Sequence, residues 1–271
     1  MFYKVIGQYT VLMDYKIVVA HPDDEIIFFN SKLAGAESVI ICFGQSDDPA
    51  VTAGRAVVKD NFPLDRAKFL WITEANVFDA VSFPRQSVIP EGVTVARNQD
   101  RYHKNFATIT AMLETELAQD DVVFTHNPWG EYGHEEHVQV FQAVLALQKR
   151  MNLKIYVSNY VSDKSMPLMQ QRHHLLSAQT IVGNPCQKLG QQYLDLYADN
   201  NSWTWDADYI WPATEMFFAI NPRPDTDQPQ SDAVTASPPL NILSRRFIEV
   251  ERSKFRKLLS RFSPRRLLKP S

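Results

Sequence analysis

Only two cysteines, Cys42 and Cys186, occur in these 271 residues. They lie far apart and in no metal-ligand spacing, which excludes a disulfide framework and makes a reducing compartment the default. Cys42 sits in the apolar run Val39-Ile40-Ile41-Cys42-Phe43, where a small buried thiol is expected. No window approaches the ~18 apolar residues of a membrane span. The start, Met1-Phe2-Tyr3-Lys4, runs into polar Gly7-Gln8 instead of the apolar segment of a secretory leader. The expectation is a cytoplasmic protein, free or peripheral at a membrane surface.

A strong net charge is missing too, since the total is only −3. The balance is uneven: residues 243–271 carry ten Lys or Arg against two Glu, so the remainder is acidic. An acidic body with no recognised binding module argues against a nucleic-acid partner. What is plentiful is apolar and aromatic side chain: 45% of residues are hydrophobic, including 16 Phe, 10 Tyr and 5 Trp. That is enough for the core of one sizeable α/β domain.

The body alternates strand-like and helix-like segments. Lys16 to Ala20, Ser38 to Phe43, Asp121 to Thr125 and Lys154 to Val157 are apolar strands. Glu25 to Leu33, Arg55 to Lys59, Leu64 to Leu70, Tyr102 to Ala118 and His134 to Met151 carry helical spacing, with Pro63 interrupting one pair. This βαβ rhythm predicts an α/β fold, a mostly parallel sheet with helices on both faces. Ligands then bind outside the carboxyl ends of the strands. Residues 1–221 form that domain, 222–242 a Pro-rich linker, and 243–271 a basic amphipathic helix.

Two stretches carry chemistry. Ala20-His21-Pro22-Asp23-Asp24-Glu25 follows the first strand, and His134-Glu135-Glu136-His137 opens a later helix. Pro22 biases His21 towards an extended conformation. Asp23 and Asp24 are neighbours whose side chains point apart, so one can ligate a cation while the other faces water. His134 and His137 share one face of a helix start, so one can bind metal and the other can donate a proton. Both motifs are expected at the same sheet edge. Together they are the parts of a mononuclear hydrolytic metal site.

These residues resemble the PIG-L/LmbE-like zinc-dependent N-acetylglucosamine de-N-acetylases. The resemblance spans roughly residues 15–220 and rests on Ala20-His21-Pro22-Asp23-Asp24-Glu25 with Gly133-His134-Glu135-Glu136-His137. It implies a Rossmann-like three-layer sandwich and removal of acetyl from an N-acetylated sugar or glycoconjugate. It implies zinc on His21, Asp24 and His137, with Asp23 as general base and His134 as general acid. Tyr132 matches a tyrosine that polarises the substrate carbonyl, and Arg55 an arginine in reach of substrate. The donor set also suits Fe(II) or Co(II). An ionised Asp23 and a protonated His134 would give a bell-shaped pH profile. The chain departs from the family in bulky Ile26-Ile27-Phe28-Phe29, in Val58 where a glutamate is frequent, and in Asp199-Asn200. Those departures bear on the sugar and leave the metal chemistry alone. The rival functions are an amidase for a larger amide and a non-catalytic glycan- or membrane-binding protein with a structural metal.

Other features have two readings each. Trp203, Trp205 and Trp211 are a sugar-stacking wall or core packing. His126 is a partner of a metal ligand or a structural histidine. Arg85, Arg97 and Arg101 contact an anionic leaving portion or are solvated. His103, His173 and His174 belong on the surface. In the tail, Phe247, Val250, Phe255, Leu258, Leu259 and Phe262 recur among basic residues. Such a helix docks on an anionic membrane, on the acidic body or on a second subunit.

Overall fold

A computed structural model describes residues 14–78, 86–221 and 239–243. In chain order the elements are β1 (Lys16–Val19), α1 (Asp24–Phe28), α2 (Asn30–Leu33), β2 (Ser38–Gln45), α3 (Pro49–Asp60), β3 (Ala67–Thr73), β4 (Val88–Ile89) and β5 (Gly92–Val93). There follow α4 (Gln99–Glu116), β6 (Val122–Thr125), α5 (Glu135–Met151), β7 (Lys154–Ser158), β8 (Tyr160–Val161), α6 (Met166–Arg172), β9 (Leu176–Gly183), α7 (Gln187–Asp199), β10 (Glu215–Ile220) and β11 (Asn241–Ile242).

The main sheet has seven strands in the order β3-β2-β1-β6-β7-β10-β9. The first five are parallel, while β10 runs antiparallel to both β7 and β9. Central parallel strands are buried on both faces, and β-branched side chains fill both layers. Ile17 and Val19 join Val39 and Ile41 in one core, against α1, α2 and α7. Val18 and Ala20 join Ile40 and Cys42 in the other, against α4 and α5. The result is an α/β three-layer sandwich with a mostly parallel sheet.

The direction in which strands are added reverses between β1 and β6. From β1 the chain winds outward to β2 and β3, and from β6 it winds the other way to β7. Val18 pairs with Thr125 across that boundary. The carboxyl ends of β1 and β6 therefore open a crevice at a topological switch point, where this architecture binds ligands. Both sequence motifs leave from those two strand ends.

Several expected elements change. The helix expected over Glu25 to Leu33 is two short ones, broken at Phe29, whose φ of −135° leaves the helical region. The segment expected to be helical over Leu64 to Leu70 ends in strand β3, held by parallel pairing of Ala67 with Val39. Burial of an edge strand is one-sided, and that obscured its period in the sequence. Strands β9 and β10 were not expected. The stretch read as a linker ends in β11, which pairs with β8, and Leu243 donates its N–H to the Val161 carbonyl at 2.8 Å. The rest of the basic tail lies outside the described residues. Among the described residues no helix is long and apolar enough to cross a membrane.

Close backbone approach fixes α3 on α7. A Cβ added to Gly54 would lie 1.8 Å from the Asn200 carbonyl oxygen. Neither backbone can yield without shifting the turn that follows α7. Gly54→Ala should therefore cost about 1–3 kcal/mol by overpacking, measurable by chemical denaturation; an unchanged midpoint would contradict this packing.

Candidate metal centre

The first motif turns sharply out of β1. Asp23 has φ 98°, a left-handed value rare for a residue with a side chain, and it caps the five-residue helix α1. Such backbone strain costs on the order of 1–3 kcal/mol and persists only where the surroundings enforce it. They do so here. The Asp23 N–H donates to Glu25 Oε2 at 3.1 Å, and Glu25 Oε1 accepts from the Tyr197 hydroxyl at 2.7 Å. The Asp23 carboxylate is held from across the fold: Oδ2 accepts the Thr204 hydroxyl at 2.7 Å and the Thr204 N–H at 3.2 Å.

The second motif is set by the loop after β6. Asn127 Oδ1 accepts the N–H groups of Trp129 (3.2 Å) and Glu131 (2.9 Å), closing a tight turn. Gly130 and Gly133 have positive φ, and a Cβ on Gly130 would lie 2.4 Å from the His134 carbonyl oxygen. His134 is the N-cap of α5, its Nδ1 accepting the Glu136 N–H at 3.2 Å. His137 lies one turn further along.

Three donor atoms meet in the crevice. His21 Nδ1, Asp24 Oδ2 and His137 Nε2 form a triangle with all three sides 3.3 Å. A tetrahedral ion with bonds of about 2.0–2.1 Å needs ligand atoms about 3.3 Å apart, so this set fits zinc. The outward nitrogens are engaged as well. His21 Nε2 is 2.9 Å from Glu136 Oε2, and His137 Nδ1 is 2.8 Å from Glu131 Oε2. Each imidazole can thus give its outward N–H to a carboxylate and, once its inward nitrogen is deprotonated, turn a lone pair into the triangle.

Charge points the same way. Asp23, Asp24, Glu25, Glu131, Glu135 and Glu136 are each 3% exposed or less. The cations placed among them are Arg55, bound to Glu74, and Lys164, 3.8 Å from Glu135. Burying that excess of negative charge is costly unless protons or a cation offset it. Protons do part of this. Burial and then the Asp24 charge push Asp23 up to about 7, against the Thr204 bonds. Burial raises Glu25 to about 8, with Tyr197 opposing. His21, despite burial, is lifted to about 10 by Asp24 and Glu136.

The remaining expected residues fall as follows. His134 stacks on His137 at 4.6 Å and is tilted by 55° against His21 at 4.7 Å, centroid to centroid. Burial and those two rings hold it well below the ordinary histidine range. Tyr132 stands edge-on to His137 at 5.3 Å. Arg55, expected to reach substrate, is 3% exposed and committed to Glu74, itself 3.8 Å from His21 Nε2. Trp203, Trp205 and Trp211 are at most 9% exposed and belong to the core, so a sugar-stacking wall is not what they form. Arg97 donates to the carbonyls of Asn76 and Phe78, and Arg101 to that of Glu74. These arginines pin a loop whose Phe78 lies flat on His134 at 4.6 Å. Arg85 lies outside the described residues. Sequence reasoning gave no role to Glu74, Glu131, Glu136 or Thr204. The two glutamates inside the His-x-x-His motif were a visible signal, whereas nothing in spacing marks Thr204 or Glu131.

Fold and site together define an α/β protein with a buried His-Asp-His donor set at a topological switch point. No family model and no curated protein matches the sequence. Three solved structures with a similar backbone are described as deacetylases. One is a deacetylase of the teicoplanin biosynthesis pathway in complex with teicoplanin, with TM-score 0.46, 12% identity, and 77% of this chain and 98% of that one covered. Another from that pathway, in complex with bog, has TM-score 0.49 and 11% identity, covering 79% and 100%. The A40926 pseudoaglycone deacetylase Dbv21 has TM-score 0.47 and 13% identity, covering 79% and 99%. Likeness at that level says nothing about this chain's chemistry.

The raised carboxyls set a pH dependence. In the unfolded chain Asp23 and Glu25 lose their protons near pH ~4, but in the fold they keep them to about 7 and about 8. Their contribution to stability is therefore complete below pH ~4, declines above it, and is fully lost once pH has passed about 7 and about 8. His134, held low, acts oppositely only up to its ordinary range near 6.5. The melting temperature of the metal-free protein should fall between roughly pH 6.5 and 8, where the fold still holds protons on Glu25, His21 and His126 that the unfolded chain has released, and Glu25→Gln should flatten that fall. A melting temperature that rises over this interval would refute the account.

Proposed function

We propose that this chain is a metal-dependent amide hydrolase that removes acetyl from an N-acetylated amino sugar within a glycan or carrier-linked conjugate. The observation that carries the reading is the triangle of His21 Nδ1, Asp24 Oδ2 and His137 Nε2, with 3.3 Å sides. The acetyl-sugar substrate rests on the resemblance of the two motifs to the PIG-L/LmbE-like enzymes.

When bound by those three residues, zinc would supply Lewis acidity for the amide carbonyl and lower the pKa of water towards ~7. The chain's own groups do the rest. Thr204 holds Asp23 by Oδ2, which leaves Oδ1 to take a proton from the attacking water. A carboxyl pushed up to about 7 suits both directions of transfer. Asp23 can accept that proton and then release it to the departing nitrogen. We assign His134 a different task from the general acid expected of it. Its Nδ1 is occupied by the Glu136 N–H, so the neutral ring presents Nε2–H, a donor for the oxygen that gains charge. Tyr132, beside His134 and His137, is the second donor on that side. Arg55 and Glu74 lie behind the centre, where the guanidinium offsets part of the charge of Asp23 and Asp24.

The test offers the zinc-loaded chain N-acetylhexosamines that are free, nucleotide-linked, lipid-linked and within oligosaccharides. Equal release of acetate and amine from one class is expected. Release of a longer acid from larger amides, with none of acetate, would instead identify an amidase. Asp23→Asn should lower turnover by about 10²–10⁴-fold, the usual worth of a general base, while bound zinc stays stoichiometric. If Asp23→Asn and the parent chain behave alike, the catalytic assignment fails.

A further inference from the structure

Two overlapping sets of donor atoms occur in the crevice: His21, His134 and His137, and Asp24, His126 and His137. Distance alone leaves His126 a possible ligand, since its Nε2 is 3.4 Å from Asp24 Oδ2. We propose that His126 is not a ligand but forms, with Glu131, a bracket that fixes the ring of His137 and ties it to the first motif. This rests on the metal reading above and assigns residues that reading does not use.

Hydrogen positions decide the matter. The Ala20 N–H donates to His126 Nε2 at 2.9 Å, which occupies the lone pair a metal would need. The other nitrogen, Nδ1, lies 2.9 Å from Glu131 Oε2, an acceptor, so it carries the hydrogen. Both nitrogens of His126 are spent. The same Oε2 takes the Nδ1–H of His137 at 2.8 Å, which forces the tautomer with a free Nε2 lone pair on the donor triangle.

Glu131 is built for this task. It is fully buried, and its second oxygen accepts the Asn127 N–H at 2.9 Å and the Ser158 hydroxyl. Four donors thus fix one carboxylate on a residue with φ 52°. The two imidazoles it bridges stack 3.9 Å apart, 23° from parallel. The bracket runs from His137 through Glu131 and His126 to the backbone of Ala20, the residue before His21. Glu131 and His126 are positioning residues: they touch neither substrate nor the donor triangle's interior.

The experiment uses the full chain stripped by chelator. Zinc affinity is read by competition with a chromophoric chelator, and geometry by the visible absorption of the Co(II) form. Glu131→Gln keeps the shape but replaces one of the two accepting oxygens by an NH2 group, so it cannot meet all four donors, and should weaken zinc about 10–100-fold, the usual loss when such a partner is removed. His126→Gln should weaken binding no further than that and keep one ion per chain with tetrahedral Co(II) bands. His137→Gln should abolish stoichiometric binding. Unchanged zinc affinity in Glu131→Gln would overturn the bracket. Loss in His126→Gln as complete as in His137→Gln, with altered Co(II) bands, would make His126 a ligand and overturn it too. If Glu131→Gln does not fold, Glu131→Asp, which draws the carboxylate back by one methylene, is held to the same criterion. A parent chain that binds no zinc would instead sink the metal reading itself.

Discussion

Burial of like charge is the constraint on which the rest of this structure depends. A strand pair in the middle of a parallel sheet delivers six carboxylates into a space almost closed to water. Such a cluster is tolerable only if each oxygen is either met by a donor or relieved by a positive charge. Much of the surrounding architecture reads as an answer to that demand. Thr204, Tyr197, Ser158 and the Asn127 backbone supply donors, Arg55 and Lys164 supply charge, and three imidazoles sit where they can bridge carboxylates. What is left over is a triangle of donor atoms, and a dication that displaces the His21 proton is the group that satisfies it with least rearrangement.

That demand also explains why the site is drawn from so many elements. The left-handed backbone at Asp23 would relax in isolation, yet Thr204 and Tyr197 grip its carboxylate and the glutamate two residues on. Both arrive from α7 and the turn after it, a layer away from the strand end. The tryptophans around Thr204 therefore serve the site through packing. Their burial, with Trp211 Nε1 donating to the Ile26 carbonyl at 2.6 Å, fixes the height at which Thr204 meets Asp23.

The parallel core and the convergence of the motifs were legible in the sequence because both depend on local signals. Apolar runs of four to eight residues mark buried strands, and His21-Pro22-Asp23-Asp24 directly after one marks a sheet edge. Strands β9 and β10 were not legible. β9 is an edge strand carrying Ser177, Gln179 and Thr180, so its pattern is that of a surface segment. Leu64 to Leu70 misled because an edge strand buries one side only, and short apolar runs fit either period. For Arg55 the signal missing from the sequence is a partner. The place of Arg55 in the chain matched a substrate arginine, but the partner that captures it, Glu74, comes from the end of β3 and is adjacent only in the fold.

The division between ligands and their supports follows from hydrogen placement, which no spacing in a sequence encodes. His126 and His137 are both buried, both near Asp24, and both bound to one oxygen of Glu131. Their Nε2 atoms differ in partner: the backbone N–H of Ala20 reaches that of His126, whereas that of His137 faces His21 Nδ1. One ring therefore ends with a lone pair to offer and the other with none. Pairing of β1 with β6 sets the height of Ala20 against His126, so the register of two strands decides which imidazole can hold a metal.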